Sequence, residues 1–178
     1  MSNIILTIKQ LEDIFQSLTV TLTGLNKDSG VRVSWPTEGS PGWKITDNVA
    51  FIKVVSVTDN YSNIVETNYQ QDELELGVNV ELVYTRVHLI QWVLYGPNSY
   101  ELAEKIKSGL FLYDTKQALN LSNLFLVTDI EQPVRIPEQA NGRWWERCDY
   151  QARFNEKVVK ASTVPYITGT NIQFRTSK

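Results

Sequence analysis

GRWWERCDYQARF, residues 142–154, holds two of the five tryptophans and the only cysteine of this 178-residue chain. How it is read decides the fold. Extended to residue 158, it divides into two alternating sets. Trp144, Glu146, Cys148, Tyr150, Ala152, Phe154, Glu156 and Val158 form one set, and six of these eight are apolar. Arg143, Trp145, Arg147, Asp149, Gln151, Arg153, Asn155 and Lys157 form the other, apolar only at Trp145. Successive side chains leave a strand on opposite faces, so this alternation predicts a half-buried strand. Cys148 then faces the core as a small hydrophobe, where apolar surroundings raise its pKa rather than activate it. Trp145 breaks the pattern, standing on the polar face with three arginines and a lysine. An indole placed there is either covered by a loop of its own chain or offered to a partner.

Upstream, EQPVRIPEQANG (131–142) reads as a loop and NLFLVTD (123–129) as a strand. DTKQAL (114–119) suits a further turn of helix. PNSYELAEKIKSGLF (97–111) predicts a helix, with Leu102, Ala103, Ile106 and Leu110 as its stripe. Asn98 with Glu101 has capping-box spacing, and Glu101 with Lys105 an i,i+4 ion-pair spacing. VNVELVYTRVHLIQWVLYG (78–96) is the longest strand signal, apolar on both alternate sets, which predicts a central strand covered on both faces.

Further out, TDNYSNIVETNYQQDELELG (58–77) suits a long loop or a hairpin arm, and VAFIKVVSV (49–57) a strand. PTEGSPGWK (36–44) is a loop whose Trp43 needs a surface to lie on. VRVSW (31–35) is a short strand. Residues 7–18 predict a helix, opened by a Thr7–Gln10 capping box. The continuation TVTLTG is β-branched and alternating, so helix and strand both stay open there, with the register of Leu22 favouring helix to about Gly24. The end, TVPYITGTNIQFRTSK, has one short strand signal, NIQF, and otherwise reads as an arm. Strands outnumber helices without regular alternation. The expected class is α+β: an antiparallel or mixed sheet with two main helices on one face, in one domain over 1–158, followed by a C-terminal arm over 159–178.

Composition narrows the function. Apolar residues make up 42% and charged residues 21%, as in a globular domain. The net charge of −3 argues against a general nucleic-acid binder. One cysteine precludes an internal disulfide, and one histidine with it leaves too few ligands for a structural zinc site. The start, MSNIILTIKQ, lacks the basic region of a secretory signal, and no run approaches the ~20 apolar residues that span a bilayer. A soluble protein folded inside the cell is expected.

Catalytic constellations are missing from the sequence. It has no P-loop, dinucleotide fingerprint or nucleophile elbow. His88 lies mid-strand and would need Cys148 or a serine beside it to act as a base; a satisfied structural histidine is the expectation. Asp72, Glu73 and Glu75 lack the glycine-punctuated spacing of a calcium loop and read as a solvated acidic arm. No cofactor or metal is expected. The arginine-bearing face of 143–157 is the best candidate surface, suited to an acidic protein partner, with Asp149 balancing Arg147 as the alternative.

RVSWPTEGSPGW, NVAFIKV, LIQWVLYGPNSYELAEKIKSGL and RWWERCDYQARFN, taken in order, resemble the bacteriophage neck or tail terminator (tail-completion) proteins over about residues 7–158. The resemblance implies a non-enzymatic α+β virion subunit. It would form a homo-oligomeric ring, commonly sixfold, at the head-proximal end of the tail. There it would stop the tube and meet both the tail tube protein and the head-side connector. Genomic DNA would pass through the lumen without sequence-specific contacts, and no membrane would be involved. The subunit would be made in the host cytoplasm and reside in the virion. Trp43, Trp145, Arg147, Arg153 and Lys157 are then candidate subunit or partner contacts. A monomeric protein-binding module using face 143–157, or a related connector or tail-tube protein, is the alternative. An enzyme built on His88 and Cys148 is a remote third.

Overall fold

The computed structural model of the chain describes residues 5–34, 42–71 and 77–165. Its elements run α1 (Ile8–Thr23), β1 (Val31–Val33), β2 (Val49–Val57), a 3-10 turn (Asn60–Asn63), β3 (Val65–Gln71), β4 (Gly77–Tyr95), α2 (Ser99–Gly109), α3 (Tyr113–Asn120), β5 (Leu124–Leu126), β6 (Val134–Arg135), β7 (Glu138–Ala140), β8 (Arg143–Trp145) and β9 (Arg147–Pro165).

The spine is a pair of long strands. β4 and β9 run antiparallel from Gly77 opposite Pro165 to Tyr95 opposite Arg147. On the far side of β4, β2 pairs with its second half and β3 with its first, both antiparallel. β5 and β6 pair with the outer side of β9. β1 joins β2 in parallel, which makes the seven-stranded sheet mixed. The fold is therefore α+β, as expected. The sequence 58–77 contributes a hairpin arm rather than a loop, because β3 folds back on β4.

All three helices cover one face. Leu11 and Phe15 of α1, Leu102, Ala103 and Ile106 of α2, and Leu119 of α3 share one buried cluster with Ile52, Ile90, Trp92, Leu94, Tyr150, Ala152 and Phe154. These strand residues belong to a single alternate set on each strand. At the centre Phe15 lies 4.7 Å from Phe154 and edge-on to Trp92 at 6.3 Å, while Trp92 stacks on Tyr150 at 5.4 Å. Phe15, Trp92 and Phe154 are fully buried, each contributing roughly 2–3 kcal/mol by removal of apolar area from water. The Trp92 indole N–H is not stranded there. It donates to Thr19 Oγ1 (2.9 Å), which donates to the Phe15 carbonyl (2.7 Å).

The helix boundaries follow local chemistry. The Thr7–Gln10 capping box opens α1, and Gly24, at φ 73°, closes it with a left-handed cap. α2 differs from expectation. Asn98 makes no side-chain cap bond; its own amide is instead held by Asn48 Oδ1 at 3.0 Å. The ion pair on α2 is Glu104–Lys107 at 3.4 Å, and Glu101 and Lys105 form none among the described residues. The link from β4 into α2 is Gly96, at φ 109°. A Cβ there would lie 2.5 Å from the Asp47 carbonyl oxygen, so both the backbone conformation and the packing require glycine.

Four further expectations are corrected. A third helix, α3, stands where one extra turn was expected. β4 is buried mainly on the helix face; on the other face Val87 is buried as well. Leu89, Gln91, Val93 and Tyr95 on its other face are half-buried, with no helix over them among the described residues. The segment 131–142 is not all loop, since it supplies β6 and β7. The strand read across 143–158 is broken at Glu146: β8 belongs to a separate two-stranded hairpin with β7, and the long strand begins at Arg147. Trp144, expected in the core, is 66% exposed, and Glu146 is exposed and paired to Arg135 at 2.8 Å. β9 crosses residue 158 unbroken and continues to Pro165. Asp72, Glu73, Glu75 and NIQF lie outside the described residues.

Candidate functional site

The hairpin explains the break at Glu146. Ala140 lies opposite Arg143, leaving Asn141 and Gly142 as a two-residue turn with both φ positive, 52° and 72°. Asn-Gly is the favoured pair for such a turn because both central residues must adopt φ > 0. That signal is present in the sequence, at the end of the 131–142 stretch that reads as a loop.

Beneath the hairpin lies a block of aromatic and charged side chains on the sheet face away from the helices. Trp43 packs on Phe51 (5.1 Å), Tyr95 (5.6 Å) and, edge to face, Trp145 (6.0 Å). Arg32 lies over the Trp43 ring at 5.4 Å and Arg147 over Tyr95 at 5.9 Å. Arg147 grips both Asp149 oxygens at 2.7 Å and donates to Glu138 at 2.9 Å. Tyr95 donates to the other Glu138 oxygen, also at 2.9 Å. Burial, aided by that bond to Glu138, pushes the Tyr95 hydroxyl up to about 12. The paired carboxylates, Asp149 foremost, raise the Arg147 pKa further. Glu138 is therefore the tie between hairpin and sheet. The indole N–H groups of Trp43 and Trp145 are buried with no hydrogen-bond partner among the described residues.

The five candidate contact residues separate into two groups. Trp43, Trp145 and Arg147 come together in this block, each half-buried and packed by its own chain. Arg153 and Lys157 lie further along β9, exposed and without an ion pair among the described residues. Between the groups is an open depression of about 480 Å³, floored by Gln91, Val93 and Gln151 and walled by Val134 and Ile136. Its wall is fastened by Gln151 donating to Glu131 at 2.8 Å. The residue that sequence reasoning missed is Trp144. It stands on the hairpin and is 66% exposed.

His88 and Cys148 do not meet. His88 lies opposite Phe154 in the register and Cys148 opposite Leu94. Six residues of strand, about 20 Å at the usual rise, separate the two levels. Burial pushes the Cys148 thiol up to about 11. His88 is fully buried, with Nε2 2.7 Å from Glu156 Oε2 and Nδ1 3.5 Å from Ser56 Oγ. Glu156 is already occupied, since Oε1 accepts the Leu6 amide (2.8 Å) and Oε2 lies 3.4 Å from Arg86. Arg86 also donates to the Leu6 carbonyl at 3.1 Å. This network fastens the N-terminal segment to the spine.

The family model for the phage neck terminator protein matches residues 9–177, nearly the whole chain. The chain belongs to the phage neck terminator protein family. Neck terminators are structural proteins of the virion, located at the tail and neck. No curated protein matches the chain. The family match reaches into the C-terminal segment, beyond the residues that carried the resemblance.

Proposed function

We propose that this neck terminator assembles as a closed homo-oligomeric ring, six subunits being the expected number, at the head-proximal end of a phage tail. The ring caps the tail tube, offers its other face to the head-side connector, and lets the genome pass through its lumen without reading sequence. Heterologous contacts that close after a fixed rotation make such a ring. The observation that carries this reading is the exposed Trp144, 66% open to solvent. It is set on a hairpin that Arg147, Glu138, Trp43 and Trp145 hold in place. A rigidly held, exposed tryptophan is a typical interface anchor. In this reading Trp43, Trp145 and Arg147 support the contact, while Arg153 and Lys157 meet an acidic neighbouring surface.

Negative-stain imaging of the purified chain at high concentration, with and without tail tubes, tests the proposal. Rings with a hole of about 20 Å or more, enough for a duplex, are expected. Monomers that stay monomeric with tubes present, yet bind an acidic protein in a salt-sensitive way, would favour a monomeric binding module working through Arg153 and Lys157.

A further inference from the structure

The arm built by β3 ends in an open edge. All residues from Val65 to Gln70 are exposed, and on its outer side β3 pairs with no strand among the described residues. Its alternation is apolar on one side: Val65 is 54% exposed and Tyr69 72%. Glu66 lies on the opposite side. An exposed edge with apolar residues is a template for an added strand, and proteins without a use for such an edge blunt it with charged side chains, lysine above all, with proline or with a bulge. β3 has no lysine, no proline and an unbroken register against β4, and its one charge is Glu66.

The sequence holds a segment that fits this edge. β9 ends at Pro165, opposite Gly77, at the same tip of the arm where β3 ends at Gln71, opposite Val78. Thirteen residues follow, YITGTNIQFRTSK. Within them Ile172 and Phe174 share one side of an extended chain, and Asn171, Gln173 and Arg175 the other. The charges also match. Residues 65–77 carry Glu66, Asp72, Glu73 and Glu75 without a basic residue, and residues 166–178 carry Arg175 and Lys178 without an acidic one. An antiparallel register with Arg175 opposite Glu66 sets Ile172 opposite Tyr69 and Phe174 opposite Thr67, between Val65 and Tyr69. Apolar residues then meet on one face and opposite charges on the other.

We propose that residues 166–178 of one copy add as a strand to the β3 edge of the next copy. This deepens the ring reading and rests on it. Each copy gives one segment and receives one, so the contact is heterologous and used once per interface. The backbone bonds supply affinity, and the Glu66–Arg175 pair with the Ile172 and Phe174 positions supplies register.

The test mixes two separately purified full-length variants, Glu66→Cys and Arg175→Cys, under oxidising conditions. Cys148, fully buried, does not compete. A disulfide-linked dimer containing one of each variant is expected by mass. A chain ending at Pro165 is expected to keep its urea midpoint and lose assembly. A disulfide closing within a single chain that carries both substitutions, with none in the mixture, would overturn the proposal. So would rings formed by the chain ending at Pro165 as readily as by the full chain; in that case the ring reading stands and only the strand exchange falls. Absence of rings and of the mixed dimer, even with tail tubes added, would remove both.

Discussion

Trp43 and Trp145, far apart in sequence, meet edge to face with ring centroids 6.0 Å apart. Each thereby covers the other, and the loop and the hairpin that carry them are pinned to the open face of the sheet. Replacing Trp145 with Ala should lower stability by about 2 kcal/mol, below the value for a fully buried Trp because this one is half-exposed. Trp145→Phe should cost less than ~1 kcal/mol, since it keeps a ring and removes a buried donor that has no acceptor. Urea unfolding separates the two; equal losses would mean that the indole nitrogen, not ring contact, is what holds the hairpin.

Trp144, one residue away, should behave in the opposite way. At 66% exposure it contributes little to the fold. Trp144→Ala should stay within ~0.5 kcal/mol of the parent chain in urea while reducing ring formation or attachment to tail tubes. A variant that assembles as well as the parent would remove Trp144 from the interface.

Glu156 is a buried carboxylate serving His88, Arg86 and the Leu6 amide at once. Glu156→Ala should cost about 3–5 kcal/mol, the usual result of removing one partner from a buried charged network. It should also release the N-terminal segment, seen as faster hydrogen exchange at the Leu6 amide. Ser56→Ala should change stability by less than ~0.5 kcal/mol, because a 3.5 Å contact to His88 is at the limit of a hydrogen bond.

Alkaline pH should unfold the protein early. Burial raises the Cys148 thiol from 9.0 to about 11, and burial with the Glu138 bond raises the Tyr95 hydroxyl from 10.0 to about 12. Between those values the unfolded chain releases protons that the folded chain retains. Stability is therefore fully present below pH 9 and declines from about pH 9 to 12. Cys148→Ala should flatten the lower part of that decline in pH-dependent urea midpoints, leaving the part above pH 10.

Much of this was legible in the chain itself. The capping box at Thr7 and the apolar stripe behind it are local signals, and they specified where α1 starts; its end at Thr23 lies in the β-branched stretch TVTLTG, where the helical register of Leu22 had to outweigh a strand-like alternation. The alternation from Cys148 to Val158 placed one face of β9 in the core, because strand geometry allows only two faces. The resemblance to the neck terminator family was carried by particular stretches, above all LIQWVLYGPNSYELAEKIKSGL and RWWERCDYQARFN. Alternation alone, however, cannot report where one strand stops and another begins. Trp144 and Trp145 continue the pattern of β9, yet the Asn141–Gly142 turn pairs them with β7 and turns Trp144 out to solvent. Asp149, two residues along the same strand face, could be read from the sequence as the balance to Arg147, and the structure pairs them. Glu138, brought in by the hairpin, could not. Local preference and period are carried by neighbours in sequence, so they are visible there. Pairing partners, the covering of exposed rings and the satisfaction of buried charges depend on residues brought together from distant segments, and only the folded chain decides them.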